Sequence, residues 1–197
     1  MGSSHAVSVP EPPHIGDSGG SSGTAVGKDA EVTELTYRPV GATRTGELPP
    51  GYRHLRYRLL LGTGEDLYRR AGEAVLTFRM HRATGARIRA DAERAAPGVR
   101  LSVGAGPLSV PCEIVWMVRD EARTGWGYGT LPGHQAAGEE AFAVEHDAQD
   151  RVWFSVIAFS RPARFAMRAA GPLAVVGQRL YARLCGRALR RICTVNA

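Results

Sequence analysis

The chain has 197 residues, 44% of them apolar, and a formal net charge of +6. That is enough apolar material for one ordinary domain with a buried core, and it excludes a fibrous or wholly disordered polymer. The longest run free of polar side chains, Ala169 to Gly177, falls far short of the roughly 20 residues that a membrane-spanning helix needs.

Residues 1–34 are rich in Gly, Ser and Pro, with no hydrophobic period, so they read as a disordered tail ahead of a single domain over 35–197. The tail has no basic segment followed by an apolar run and a small-residue cleavage site, so no secretory signal is visible and a cytoplasmic location is expected. It contains "GDSGG", the string around the nucleophile of trypsin-like proteases. Too little chain precedes that string to supply the partner histidine and aspartate, so it is a chance match.

"HLRYRLLLG" alternates Leu55, Tyr57, Leu59 and Leu61 with Arg56 and Arg58, which is the period of a half-buried strand. "GTGEDLYRRAGEAVLTFRMHR" follows as an amphipathic helix. It opens on a capping-box-like Thr63 and Asp66, with Leu67, Ala71, Val75 and Phe78 on one face. From about 99 to 160 the period returns to two. Val99, Leu101 and Val103 share one face, as do Cys112, Ile114, Trp116 and Val118, opposite Glu113 and Arg119. "GEEAFAVEHD" and "RVWFSVIAFSRP" form an antiparallel hairpin across Asp147 to Asp150. In the first of these strands Glu140 falls on the side of Phe142 and Val144, and Glu139 on the side of Ala141 and Glu145, so Glu140 is the carboxylate expected to be buried.

After Arg161-Pro162 a long helix runs to the C-terminus, with a kink expected near Gly171 and Pro172. Its apolar stripe is read as Leu173, Val176, Gly177, Leu180 and Leu184, with Arg179, Arg183, Arg187 and Arg190 off the stripe. On that reading an acidic residue at position 180 would disrupt folding and one at 183 would not. The fold class is therefore α+β: a curved antiparallel sheet of about six strands wrapped around a long C-terminal helix, with a shorter helical segment after the first strand, the helix-grip order. Patterning does not distinguish a hollow grip from a filled one.

Of the three cysteines, Cys185 and Cys193 stand about 12 Å apart along the same helix and cannot bridge. No metal-ligand spacing and no cofactor motif is present. The basic residues are almost all arginine, scattered rather than interleaved with aromatics, so nucleic acid is not an expected partner. The alanine and arginine usage fits a GC-rich genome.

The stretch "GYGTLPGHQAAGEEAF" concentrates the candidate chemistry. A histidine near a carboxylate can move protons, and His134 with Glu140 is the candidate catalytic pair. The same residues also suit a turn whose side chains bond to the backbone. The glycines 127, 129 and 133 are read as turn formers, since no helix follows to make them a phosphate cradle. Tyr128, Arg161, Gln178, His81 and Trp116 are candidate ligand-facing residues. Tyr128 and His81 also have a structural reading as a packed ring and a satisfied histidine, and Arg161 as the end of a strand before Pro162.

Several strings together carry a resemblance: "TYRPVGATRTGELPPGYRHLRYRLLLGTGEDLYRRAGEAV", "VPCEIVWMV", "GWGYGTLPGHQAAGEEAFAVEHD" and "VWFSVIAFSRPARF". Over about 36 to 192 the chain resembles the domain-of-unknown-function family DUF1990, which is widespread in actinobacteria, occurs in plants, and is found fused to YndJ-type membrane proteins. Where that family is expected to carry tryptophan before the "MH" pair, this chain has "TFRMH". The element order is also similar to the SRPBCC superfamily of START and Bet-v-like proteins. That similarity implies an apolar small-molecule ligand in an internal cavity. Two alternatives accompany it: a cyclase, dehydratase or hydrolase using His134 and Glu140, and a membrane-associated or pore-forming protein. Arginines on the polar strand faces weigh against a pore. Sequence says nothing of oligomeric state.

Overall fold

Seven strands form one antiparallel sheet in the order β1-β7-β6-β5-β4-β3-β2. They are β1 (Arg53–Thr63), β2 (Arg87–Ala90), β3 (Arg100–Ala105), β4 (Leu108–Arg119), β5 (Arg123–Thr130), β6 (Ala136–His146) and β7 (Arg151–Pro162). The helices are α1 (Ala42–Thr45), α2 (Glu65–Leu76), α3 (Arg79–Arg82) and α4 (Gly171–Thr194). The computed structural model describes residues 34–105, 108–163 and 171–194, all within the compact unit Thr33–Ala197. The tail expected over 1–34 lies almost wholly outside the described residues, as does the approach to the kink expected near Gly171.

The chain pairs β1 with β7, so the first strand after α1 and the last strand before α4 lie side by side. The helical segment carries the chain from β1 to the far edge, and from β2 to β7 each strand pairs with the next. Two strands were not expected from the periodicity: β2, a short edge strand, and β5, whose glycines were read as turn formers. The inner face carries the main core. Leu101, Cys112, Ile114, Trp126, Phe142, Val144, Phe154 and Val156 pack there against Ala71, Val75, Phe78 and Met80 of the helical segment and Ala182, Cys185 and Leu189 of α4.

The helical segment is broken where an unbroken helix was expected. Gly64, not Thr63, stands at its N-cap, without a side-chain cap. α2 stops at Leu76, and Phe78 adopts a left-handed conformation (φ 59) before α3. That conformation costs a non-glycine residue of order 1 kcal/mol. Burial of the whole Phe78 ring against Trp126 offsets it.

On α4 the predicted apolar stripe is corrected. Val176, Leu180 and Leu184 are exposed at 61%, 50% and 37%. The side chain of Leu173 lies outside the described residues. The buried face is instead Ala182, Cys185, Ala188, Leu189 and Cys193, flanked by Tyr181 and Ile192. It recurs at the same three-and-four spacing, rotated toward the small residues. The reason is steric: α4 lies tight against β1, where a Cβ at Gly186 would meet Leu59 Cδ2 at 2.8 Å and the Tyr57 hydroxyl at 3.1 Å. Close approach selects Ala, Cys and Gly over Leu.

This geometry reverses the expectation for position 180. Leu180→Asp should leave the melting temperature within about 2 °C of wild type, while Leu189→Asp, which buries a charge, should cost several kcal/mol or abolish folding. Thermal unfolding followed by circular dichroism separates the two. Equal effects would mean that α4 packs with a different face.

Candidate functional site

β6 presents its two glutamates to opposite faces, as alternation requires. Glu140 pairs across the sheet with Tyr128 of β5 and points inward, in line with Phe142 and Val144. Its Oε2 accepts a hydrogen bond from the Tyr128 hydroxyl at 2.6 Å. Its Oε1 is buried without a hydrogen-bond partner among the described residues. Desolvation raises the carboxyl's pKa above the ordinary range, against the opposing pull of the Tyr128 hydrogen bond and of the neighbouring Gln178 amide, which makes no hydrogen bond to the carboxyl by the geometry of the described residues. The Tyr128 hydroxyl is held far above its usual value by burial and by the neighbouring carboxylate.

Glu140, Tyr128 and Gln178 line a cavity of about 220 Å³ whose other walls include Thr130, His134, Ala136, Pro162 and Arg161. It opens at the end of the grip where β5 turns into β6. Elsewhere on the inner face the buried side chains of the main core pack against the helices. A larger open groove of about 1090 Å³ lies between α2 and the β4–β5 turn. Charged residues dominate its lining, and several of them are paired, as in Arg69 with Asp66 and Arg94 with Glu73.

The structure brings four of the predicted site residues to this cavity with Glu140: Tyr128, His134, Gln178 and, at the rim, Arg161. His134 and Glu140 share the space, yet no hydrogen bond joins them among the described residues. His134 Nδ1 instead accepts the backbone N–H of Ala136 at 2.9 Å, and burial lowers its pKa. The ring is therefore neutral with its proton on Nε2. Arg161 lies on the outer face with its guanidinium 5.3 Å from the Tyr52 ring centre and does not partner Glu140. His81 is placed elsewhere. It is 1% exposed, packed among Phe142, Trp126 and Tyr181, and neither ring nitrogen has a partner among the described residues.

Trp116 is a further correction. Periodicity assigns it to the face of Cys112 and Ile114, but a β-bulge between Ile114 and Trp116 shifts the register and turns it to the outer face. There its Nε1 donates to Thr43 Oγ1 at 2.9 Å and to Glu139 Oε1 at 3.3 Å, while Met117 takes the inward position.

Glu139 is the residue that sequence reasoning missed. Alternation placed it on the wet side, yet it is 2% exposed. Residues 35–48 cross the outer face and converge on it. Its Oε2 accepts from Tyr37 Oη at 2.7 Å and Gly41 N at 2.7 Å, and its Oε1 accepts from Thr43 N at 3.0 Å and from Thr43 Oγ1. The signal available in the sequence was the alternating "GWGYG" of β5. A Cβ at Gly127 would lie 2.4 Å from the Trp116 indole, and one at Gly129 2.4 Å from the Tyr37 hydroxyl. Those glycines are not turn formers: they are strand positions that two rings approach too closely for a side chain. Only Gly133 (φ 96) serves the turn itself.

Two adjacent glutamates should then behave oppositely. Glu139→Ala strands several buried donors and should cost about 3–5 kcal/mol. Glu140→Gln removes a poorly compensated buried charge and should be within about 1 kcal/mol of wild type, or more stable, at pH 7. Urea unfolding of both variants decides this, and equal losses would contradict the assignment.

His81 supplies a pH test. Burial, with Arg82 nearby, lowers its pKa to about 3. The unfolded chain, with an ordinary histidine near 6.5, therefore binds the proton first. Stability from this group is complete above about pH 6.5 and is lost as pH falls toward 3, by at most about 1.4 kcal/mol per unit. Glu140, whose pKa is raised, acts in the opposite sense by taking its proton first in the folded state. Subtracting the stability–pH curve of His81→Leu from that of wild type should isolate the histidine slope between pH 6.5 and 4. A flat difference would mean that water reaches the ring.

No group of three or more His, Cys, Asp or Glu side chains is placed to hold a metal ion among the described residues. None of the described helices is long and apolar enough to cross a membrane.

Comparison with known proteins gives two levels of likeness. A Deinococcus radiodurans protein described as a UPF0548 protein is 33% identical over 171 residues, covering 78% of this chain and 86% of its own. An Arabidopsis thaliana UPF0548 protein is 37% identical over 82 residues, covering 38% and 39%. Among solved structures, a hypothetical protein of Helicobacter pylori superposes with a TM-score of 0.56 at 13% identity, covering 82% of this chain and 98% of its own. Norcoclaurine synthase of Thalictrum flavum, solved in complex with dopamine and hydroxybenzaldehyde, superposes with a TM-score of 0.53 at 12% identity, covering 74% and 88%. These structural neighbours share the fold, the helix-grip architecture expected from the SRPBCC-like element order. The model of the domain of unknown function DUF1990 matches residues 36–188, and the chain belongs to that family.

Proposed function

We propose that this protein binds a small, largely apolar molecule at the hollow end of the grip, with the Glu140 carboxyl as the fixed polar point. One observation carries the reading: a buried carboxyl whose Oε2 is held by Tyr128 and whose Oε1 lacks a partner among the described residues stands at the wall of a cavity of about 220 Å³. A polar atom left in that condition costs stability, and a ligand bearing one hydrogen-bonding group restores its partner. The size suits a compact ligand, since it falls below the roughly 300 Å³ at which drug-sized pockets begin. The neutral His134 offers a second polar contact at the mouth through Nε2. This reading takes the chain as a cytoplasmic, actinobacterial protein with no nucleic-acid partner.

A second reading, an enzyme of the cyclase, dehydratase or hydrolase kind, draws on the raised pKa of Glu140. A carboxyl poised above its ordinary range can serve as a general acid or base. In that case Glu140 exchanges the proton with the ligand and Tyr128 steadies the carboxylate left behind.

Native mass spectrometry of the full chain purified from its own host tests both. Wild type should carry a small-molecule adduct, and Glu140→Gln and Tyr128→Phe should weaken its retention by about 10- to 100-fold, the equivalent of 1–3 kcal/mol. Equal occupancy in all three proteins would overturn the binding site. A Glu140→Gln variant that retains the molecule but accumulates it unconverted would favour the enzyme.

A further inference from the structure

α4 carries a second apolar row that the fold does not use. Val176, Leu180 and Leu184 recur every fourth residue on its solvent side, exposed at 61%, 50% and 37%. Arg179, Arg183 and Arg187 recur beside them at the same interval, all exposed, so that "RLYARLCGR" presents a leucine row and an arginine row in parallel. Arg191 is exposed as well, and Arg190 reaches back to the Leu60 carbonyl at 2.6 Å. The helix contains no aspartate or glutamate. Both rows are unfavourable in water. The leucines keep apolar surface hydrated, and like charges four residues apart repel by a few tenths of a kcal/mol per pair. The core does not require either, because α4 packs through Ala182, Cys185 and Leu189.

We propose that this side of α4 docks the protein onto an anionic lipid surface. A bilayer interface places negative headgroups directly above an apolar layer, and it is the surface that relieves both rows together: the arginine stems lie along the apolar boundary with their guanidinium groups among the phosphates, while Val176, Leu180 and Leu184 enter the acyl edge. A nucleic acid would satisfy the arginines and leave the leucines wet. A second copy packed in the same way would bring two arginine rows together. The net charge of +6 favours approach to an anionic surface from solution.

The test is co-sedimentation of the full chain with vesicles of phosphatidylcholine alone and of phosphatidylcholine mixed with phosphatidylserine, at low and high salt. Binding to the mixed vesicles only, weakened by salt, is expected. Arg183→Gln should lower the partition coefficient about fivefold. Leu180→Ser with Leu184→Ser should lower it at least about tenfold while leaving the circular dichroism melting curve unchanged. Three results overturn the proposal. One is no sedimentation with the mixed vesicles at low salt. Another is binding that loses its strength in salt but is indifferent to the leucine substitutions, which is mere adsorption of a basic protein. The last is a wild-type dimer, seen by light scattering, that the leucine substitutions dissociate, which makes a second copy the occupant.

Discussion

The architecture turns on a carboxylate that strand alternation places on the outside and that nevertheless is dry. Glu139 draws two backbone amides, two hydroxyls and an indole N–H onto one carboxyl group. Hydrogen bonds to a charged acceptor are about twice as strong as neutral ones, and each donor here would be costly to bury unpaired. They pin residues 35–48 across the outer face of β5, β6 and β7, with Tyr37, Tyr52 and Phe159 packed edge to face around the site. A sheet covered on one face thereby becomes, at its centre, a sheet covered on both.

Several otherwise separate features follow from that cover. The glycines of β5 make room for the Tyr37 and Trp116 rings. The bulge in β4 brings Trp116 over to join them, at the cost of one irregular ladder position. β6 is held in place at the point where its next residue, Glu140, faces the interior. The strand thus carries one carboxyl group that is fully satisfied and structural, beside one that is incompletely satisfied and lines a cavity. The contrast between neighbours is what gives Glu140 its functional reading, since a fold able to gather five donors around one carboxylate leaves the other with an oxygen to spare.

α4 joins the cavity to the exposed leucine and arginine rows. Gln178 lines the cavity, and two residues later Leu180 faces solvent, so the hollow end of the grip and the paired rows lie on successive turns of one helix. The cavity wall and the exposed rows thus share a single helix. Its inner stripe of Ala, Cys and Gly allows close packing on β1, and this releases the larger apolar residues to the outside.

The fold class, the β6–β7 hairpin, the inward course of Glu140 and the position of the long helix were legible in the sequence, because each depends on local periodicity: two along β1, β6 and β7, and three to four along α2 and α4. β5 was not, because its glycines carry no apolar alternation. The helical period of α4 was legible as well, but not which of its two apolar faces is buried. Hydrophobicity ranked Leu180 and Leu184 above Ala182 and Cys185, whereas the distance to β1 reversed that ranking. The break at Phe78, the bulge before Trp116 and the burial of Glu139 escaped for one reason: each depends on what a remote segment places against the residue, and local patterning carries no record of its partner. The sequence by itself determined which residues alternate and which recur. Only the tertiary structure decided which side of each element is dry, because dryness belongs to the pair of surfaces in contact and not to either strand or helix alone.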